Sequence, residues 1–175
     1  MNKSESKTYK IQKSVGKMQT LKHHIVVVEN IIPLCNNNEM DIMSISKSGM
    51  MYEFEVKISR ADFKADIKKK KWYWHKQPHV QMCPNYFSYC CPDGLIAINE
   101  IPPYCGLYYF IDNELKEIRK PKRLHKEIGD IPKIKDKVLR LTSERIFLGC
   151  ARLTYENNLI KERHKQWIKQ QQHRV

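Results

Sequence analysis

The stretch "MMYEFEVKISRADFKAD", residues 50–66, changes its hydrophobic period at a single serine. Apolar and charged residues alternate through residues 51–58, which is typical of a β-strand with one buried face. Ser59 then opens the S-x-x-D spacing of a helix cap, and Phe63 and Ile67 continue one helical face. A strand that leads directly into a helix indicates an α/β fold.

The rest of the chain supplies further strands and helices around this unit. The order helix, three strands, helix, two strands, helix predicts an α/β domain with a central mixed sheet flanked by helices. We place this domain at residues 1–128 and a helical C-terminal extension, packed on it, at 129–175. The predicted elements are a helix at 8–22 interrupted by Gly16, strands at 23–34, 40–46, 51–58, "YFSYC" (86–90) and "GLYYFI" (106–111), and helical residues from 132 onward.

Three classes of protein are disfavoured by what the sequence lacks. No apolar run approaches the roughly 20 residues of a membrane span, so we expect no membrane partner. The basic N-terminus lacks the apolar core of a secretory signal, which favours a cytoplasmic location. No glycine-rich phosphate loop is present, so we expect no nucleotide cofactor.

The chain has six cysteines but no C-x-x-C pair. In a cytoplasmic protein such thiols are reduced and pack as small apolar residues. A zinc-binding interaction protein is the alternative that the cysteines leave open. Its candidate ligands are Cys83, Cys90, Cys91 and Cys105.

The net charge is +13, and it is distributed unevenly. Lysine and arginine concentrate in residues 60–76, 116–126 and 160–175, whereas residues 29–59 hold five acids and only two lysines. A local acidic cluster in a basic chain is expected of a metal-dependent enzyme that acts on a polyanion, because basic surface attracts phosphates and carboxylates concentrate divalent cations.

The strands at 40–46 and 51–58 are predicted to form a hairpin. If residues 47–49 are a three-residue loop, Gly49 occupies its left-handed position. Asp41 then lies opposite Glu55, and Met43 opposite Glu53. Directly opposed carboxylates, with Cβ atoms about 5 Å apart, repel each other by about 3 kcal/mol at an effective dielectric near 20.

A cation between Asp41 and Glu55 would relieve this repulsion. Magnesium is commonly held by one or two carboxylates together with water and substrate oxygens. Lys57 projects from the same face, where it could orient or deprotonate water or neutralise charge on a phosphate. The alternative is that both carboxylates are solvated on an exposed sheet face.

Asp41 followed by Glu55-Val56-Lys57 on a hairpin resembles the PD-(D/E)XK nuclease superfamily. The stretch "EVKISRADFKAD" is similar to that of MmcB-like DNA-repair proteins and related phage proteins, and the resemblance covers residues 20–112. In that group an acid on the preceding strand joins the site, and it maps onto Glu29.

The resemblance implies a restriction-endonuclease-like core and hydrolysis of DNA phosphodiester bonds with Mg²⁺ or Mn²⁺, in DNA repair, recombination or phage DNA processing. Asp41 and Glu55 would hold the metal, Lys57 would assist the attacking water, and Glu29 would support the metal or the base. A homodimer is compatible, since many nucleases of this fold pair to cut both strands. The alternative is a non-catalytic DNA-binding protein of the same fold.

The basic segments beside this site are candidates for contact with DNA phosphates. They also permit plainer interpretations: Ser59 as a helix cap, Asp62 and Asp66 as acids of the first helical turns, and His75 as an ordinary surface histidine. The candidate DNA-binding residues are Ser59, Arg60, Lys64, Lys68, Lys69, Lys70, Lys71, Lys120, Lys122 and Arg123.

Overall fold

The computed structural model of the chain describes residues 6–24, 26–31, 39–68, 75, 84–124, 136 and 140, with the backbone alone at 26–29 and 31. The chain divides into two compact units, Met1–Ile134 and Lys135–Val175. Apart from Asp136 and Arg140, which are helical, the predicted C-terminal extension lies outside the described residues. Within the described part, no helix combines the length and apolar content that crossing a bilayer requires.

The described strands form one six-stranded mixed sheet whose strand order follows the chain order. The first three strands pair antiparallel, the third to fifth pair parallel, and the last two pair antiparallel. The predicted central mixed sheet is therefore present. The strands are β1 (Val26–Ile31), β2 (Met40–Ile45), β3 (Met51–Val56), β4 (Tyr86–Pro92), β5 (Gly106–Ile111) and β6 (Glu114–Arg119).

Helix α1 (Lys7–Leu21) covers one face of the sheet. Ile11 and Val15 lie one turn apart on the helix and pack into a core with Ile42 and Phe54. The predicted interruption at Gly16 was wrong, because the helix runs through it without a break. A mid-helix glycine costs only about 0.5–1 kcal/mol, which the burial of this apolar face outweighs.

Helix α2 (Arg60–Ile67) covers the opposite face, where Phe63 packs against Phe87 and Tyr89. The predicted cap is confirmed, since the backbone N–H of Asp62 donates to Ser59 Oγ at 3.1 Å. The prediction that Ile67 continues the buried face was wrong. Ile67 is 38% exposed, and Asp66 is buried instead.

The hairpin register is as predicted. Met43 pairs with Glu53, and Ile42 with Phe54. The loop closes through a hydrogen bond from the Ser46 backbone N–H to the Met50 carbonyl, and Gly49 has φ of 82°. Continuing this register by one residue places Asp41 opposite Glu55.

Strand β6 was not predicted, so the expected order of elements lacked one strand. It returns from β5 through Asp112 and Asn113, whose φ angles of 51° and 64° are those of a two-residue hairpin turn. Its sequence, "ELKEIR", is largely charged, and it forms an edge of the sheet. Charged residues are a common way to protect an exposed strand edge from pairing with another chain.

The described cysteines are buried thiols, as expected for reduced residues. Cys90 belongs to the core under α1, whereas Cys91 and Cys105 belong to the core under α2. Burial raises the pKa of the Cys91 thiol to about 12 and that of Cys90 also well above its usual value. The sheet separates Cys90 from the other two, so these three cysteines cannot ligate one zinc ion; Cys83 lies outside the described residues.

Candidate functional site

A cavity of about 350 Å³ opens beyond the C-terminal end of β3. It is placed where the end of β3 meets the beginnings of α1, β2 and α2. The chain folds this way locally because β3 runs into the Ser59 cap and turns directly into α2. The cavity is lined by Thr8, Glu39, Asp41, Glu55, Val56, Lys57, Ile58 and Asp62.

Among the described residues that line this cavity, Lys57 is the cation, and only 3% of it is exposed. Its Nζ lies 2.7 Å from Glu55 Oε1, 3.4 Å from Asp66 Oδ1 and 3.5 Å from Asp62 Oδ1. Burial alone would lower the pKa of Lys57, but the attraction and hydrogen bonding of these carboxylates outweigh it, so the pKa is raised. The ammonium is therefore charged at neutral pH.

Asp66 is a member of this cluster that the sequence reasoning missed. Only 1% of it is exposed, and Tyr89 Oη donates a hydrogen bond to Asp66 Oδ2 at 2.7 Å. Its interpretation as a helix-turn acid was therefore incomplete. The signal was present in the sequence, because Asp62 and Asp66 are four residues apart and so share one face of α2.

Asp41 and Glu55 line the same cavity, as the register predicts. The backbone N–H of Val56 donates to Asp41 Oδ2 at 2.7 Å, which ties the start of β2 to the end of β3. Asp41 is half-buried, and Glu55 is only 3% exposed. The alternative of two solvated carboxylates on an open sheet face is therefore wrong for Glu55.

These two carboxylates suit a hard divalent cation. Magnesium prefers oxygen ligands and leaves several coordination positions to water and substrate, so one or two protein carboxylates suffice. Among the described residues, no group of three or more His, Cys, Asp or Glu side chains is placed to hold a metal. The Lys57 ammonium also offsets part of the repulsion between carboxylates that the sequence analysis assigned to a metal ion. With Asp41 and Glu55 as ligands, most coordination positions of a magnesium ion would be left to water and substrate.

Glu29, the fourth predicted site residue, lies in β1 and pairs with Ile42, the neighbour of Asp41 in β2. Its side chain lies outside the described part of the structure. The supporting role of Glu29 stays a prediction.

Arg60, a predicted DNA contact, is engaged within the protein. Its guanidinium donates to both oxygens of Glu100, at 2.7 and 2.5 Å, and to the Leu95 carbonyl at 2.9 Å. The hydrogen bonds that Arg60 donates to Glu100 are the main reason why the pKa of Glu100 falls to about 2. Arg60 thus links the first residue of α2 to the 3-10 turn at Ile98–Glu100.

The other predicted DNA contacts fall into two groups. Ser59, Lys64 and Lys68 are exposed on or beside α2, the helix whose first turn borders the cavity. Lys120, Lys122 and Arg123 are exposed in the segment after β6. Lys69, Lys70 and Lys71 lie outside the described residues.

His75 is not a surface histidine. It is buried, its ring centre lies 4.7 Å from that of Phe87, and its Nδ1 lies 3.5 Å from the Tyr104 hydroxyl. Its surroundings are those of a core histidine with a tyrosine partner.

No protein family and no curated protein matches the chain. A solved structure, the SPO1766 protein of unknown function from Silicibacter pomeroyi, is similar in fold. The two share 18% sequence identity over 82% of this chain and 90% of the other, with a TM-score of 0.62. At this identity, the likeness concerns the fold alone.

Proposed function

We propose that this protein is a nuclease that hydrolyses DNA phosphodiester bonds with Mg²⁺ or Mn²⁺. The observation that carries the proposal is the convergence of Asp41, Glu55 and Lys57 on one cavity. The resemblance of these residues to the PD-(D/E)XK pattern supports it, and a mixed α/β sheet flanked by helices is compatible with a restriction-endonuclease-like core.

The charge balance of the cavity supports a cation. One ammonium, that of Lys57, faces the carboxylates of Glu55, Asp62 and Asp66, and Asp41 lies on the same cavity. Carboxylates held together repel unless a cation compensates them. Asp41 and Glu55 would hold the metal, which would supply Lewis-acid activation of water and charge neutralisation when bound.

Side-chain and backbone groups of the protein would contribute in four ways. Lys57, already charged, would stabilise the negative charge that develops on the phosphate. Asp66, hydrogen-bonded to Tyr89, would hold the Lys57 ammonium in place. The N–H of Val56 would fix the Asp41 carboxylate relative to β3. The basic residues on α2 and after β6 would attract the DNA backbone.

The test is nicking of supercoiled plasmid by the full chain with Mg²⁺ or Mn²⁺. Asp41→Asn and Glu55→Gln should each lower the nicking rate by about two orders of magnitude or more, because each removes a charged metal ligand. Glu117→Gln, at an exposed acid on β6 that does not line the cavity, is the matched control and should nick like the wild type. Wild-type nicking in both cavity variants would reject the proposal.

A non-catalytic DNA-binding protein of the same fold is the second candidate. The observation that favours it is that, among the described residues, no group of three or more potential ligands is placed to hold a metal. Calorimetric titration with Mg²⁺ and Mn²⁺ separates the two. Tight DNA binding with neither metal binding nor nicking in the wild type would favour this alternative.

A further inference from the structure

A groove outside the proposed active site lies between α1 and the β5–β6 turn. One cavity of about 260 Å³ is lined by Lys10, Lys13, Ser14 and Lys17 on one side and by Phe110 and Asn113 on the other. A second cavity, of about 350 Å³, shares Ser14, Lys17 and Asn113 with the first and extends along α1 to Lys22. We call the two together the α1 groove.

The charge of the α1 groove is strongly positive. Residues 6–24 contain five lysines and no aspartate or glutamate. Glu114 is the acid among the residues that line the two cavities. Lys10, Lys13 and Lys17 are spaced three and four residues apart, so they form one row on the helix, and like charges in such a row repel. An anion in the groove would relieve that repulsion.

The position of the lysines follows from the packing of α1. Ile11 and Val15 point into the core, which leaves the lysines on the flank that faces the β5–β6 turn. Lys10 and Lys17 are seven residues apart, which is about 10 Å along a helix at about 1.5 Å per residue. A nucleic acid strand carries one phosphate per nucleotide, so a row of this length can meet more than one phosphate. A row of this length suits several successive phosphates better than a single small anion.

The direction of α1 connects the groove to the proposed active site. Thr8, in the first turn of α1, lines the cavity of Asp41 and Glu55, and Lys10, two residues further along the chain, is the first residue of the α1 groove. The groove and the carboxylate cavity therefore both border the N-terminal part of α1.

We infer that the α1 groove binds the phosphate backbone of a nucleic acid strand. It would be a second phosphate-binding surface, in addition to the basic surface of α2. The inference rests on the proposed function for its partner, but it concerns binding and not cleavage. The lysines contact phosphates alone, so the α1 groove does not distinguish between base sequences.

The test measures affinity against salt by fluorescence anisotropy in EDTA, where metal-dependent hydrolysis does not occur. Duplex and single-stranded oligonucleotides of unrelated sequence are compared. Lys10→Gln/Lys17→Gln should flatten the slope of log affinity against log salt by about 1.8 on duplex DNA, or about 1.4 on a single strand, because each lost phosphate contact removes about 0.9 or 0.7. The arm in which the change reaches its own expected value identifies the form that the groove holds.

The matched control is Lys47→Gln/Lys116→Gln, which removes the same charge from exposed lysines of the β2–β3 loop and β6. Circular dichroism and thermal melting verify that both double variants are folded. A slope for Lys10→Gln/Lys17→Gln equal to that of the control on both nucleic acids overturns the inference. Loss of binding to anionic phosphatidylserine vesicles without any change on nucleic acid overturns it too.

The outcome is distinguishable from that of the proposed function. A flattened slope in Lys10→Gln/Lys17→Gln, together with no nicking by the wild type, would support binding in the α1 groove and reject the nuclease. Nicking that depends on Asp41 and Glu55, together with an unchanged slope, would retain the nuclease and reject the groove.

Discussion

The surroundings of Lys57 explain why its strand carries charge on a buried face. Its ammonium meets Glu55 from the same strand and Asp62 and Asp66 from α2. Glu55 and Lys57 were predictable as a pair because they are two residues apart on one strand. Asp66 was not assigned to the site, because whether a helical acid faces solvent or a strand depends on how the helix docks.

Replacing Lys57 tests how much this cluster contributes to stability. Lys57→Met should lower the free energy of unfolding by about 3 kcal/mol, because it leaves Glu55 and Asp66 buried without their cation. Urea denaturation at neutral pH measures this loss against the wild type.

Lys64→Met is the control for that measurement. Lys64 is exposed on α2, so the same substitution there should change the free energy of unfolding by no more than about 0.5 kcal/mol. Equal losses in the two variants would mean that the Lys57 cluster is not a stabilising unit.

At the scale of the elements, the turn residues determined which strand pairings could be predicted from the sequence. Gly49 made the β2–β3 register predictable, because a three-residue loop favours glycine at its left-handed position. The Asp112-Asn113 turn carries a comparable signal, since both residues tolerate positive φ. It was passed over because Glu114–Arg119 is mostly charged, and charged edge strands lack the apolar alternation by which buried strands are found.

Two glycine substitutions test the local geometry of these elements. Gly49→Ala should destabilise the protein by about 1 kcal/mol, because φ of 82° places an added Cβ under steric strain. Gly16→Ala should stabilise it by about 0.5–1 kcal/mol, since alanine favours the helix and no atom lies within 4 Å of the added Cβ. Thermal melting shows whether each substitution raises or lowers the melting temperature. A stabilising Gly49→Ala would contradict the described loop.

At the scale of the whole molecule, acids gather at one end of β3 and cations lie on the surrounding elements. The carboxylate cavity is bordered by the first turns of α1 and α2, and both helices carry exposed lysines away from it. Composition predicted this separation of charge. It did not predict that the N-terminal helix would lie at the cavity, because that contact depends on tertiary packing.

The lysines of α2 can be tested separately from those of α1. Lys64→Gln/Lys68→Gln should flatten the slope of log affinity against log salt on duplex DNA by about 1.8, and affinity should fall equally for unrelated sequences. Nicking at saturating DNA should be retained, because neither residue lines the cavity. Anisotropy with Ca²⁺ in place of Mg²⁺ measures binding, and an unchanged slope would make these lysines an ordinary solvated surface.

The strand order of the sheet has a consequence for how the protein folds. Each described strand after β1 pairs with the strand that precedes it in the chain, so none of these six strands must insert between two that are already paired. The β2–β3 hairpin closes through a short loop, whereas β4 and β5 must each return through a longer crossover, and closing a longer loop costs more entropy. We therefore expect the sheet to grow from its β1 edge as the chain leaves the ribosome, with Asp41 and Glu55 brought together before Tyr89 arrives.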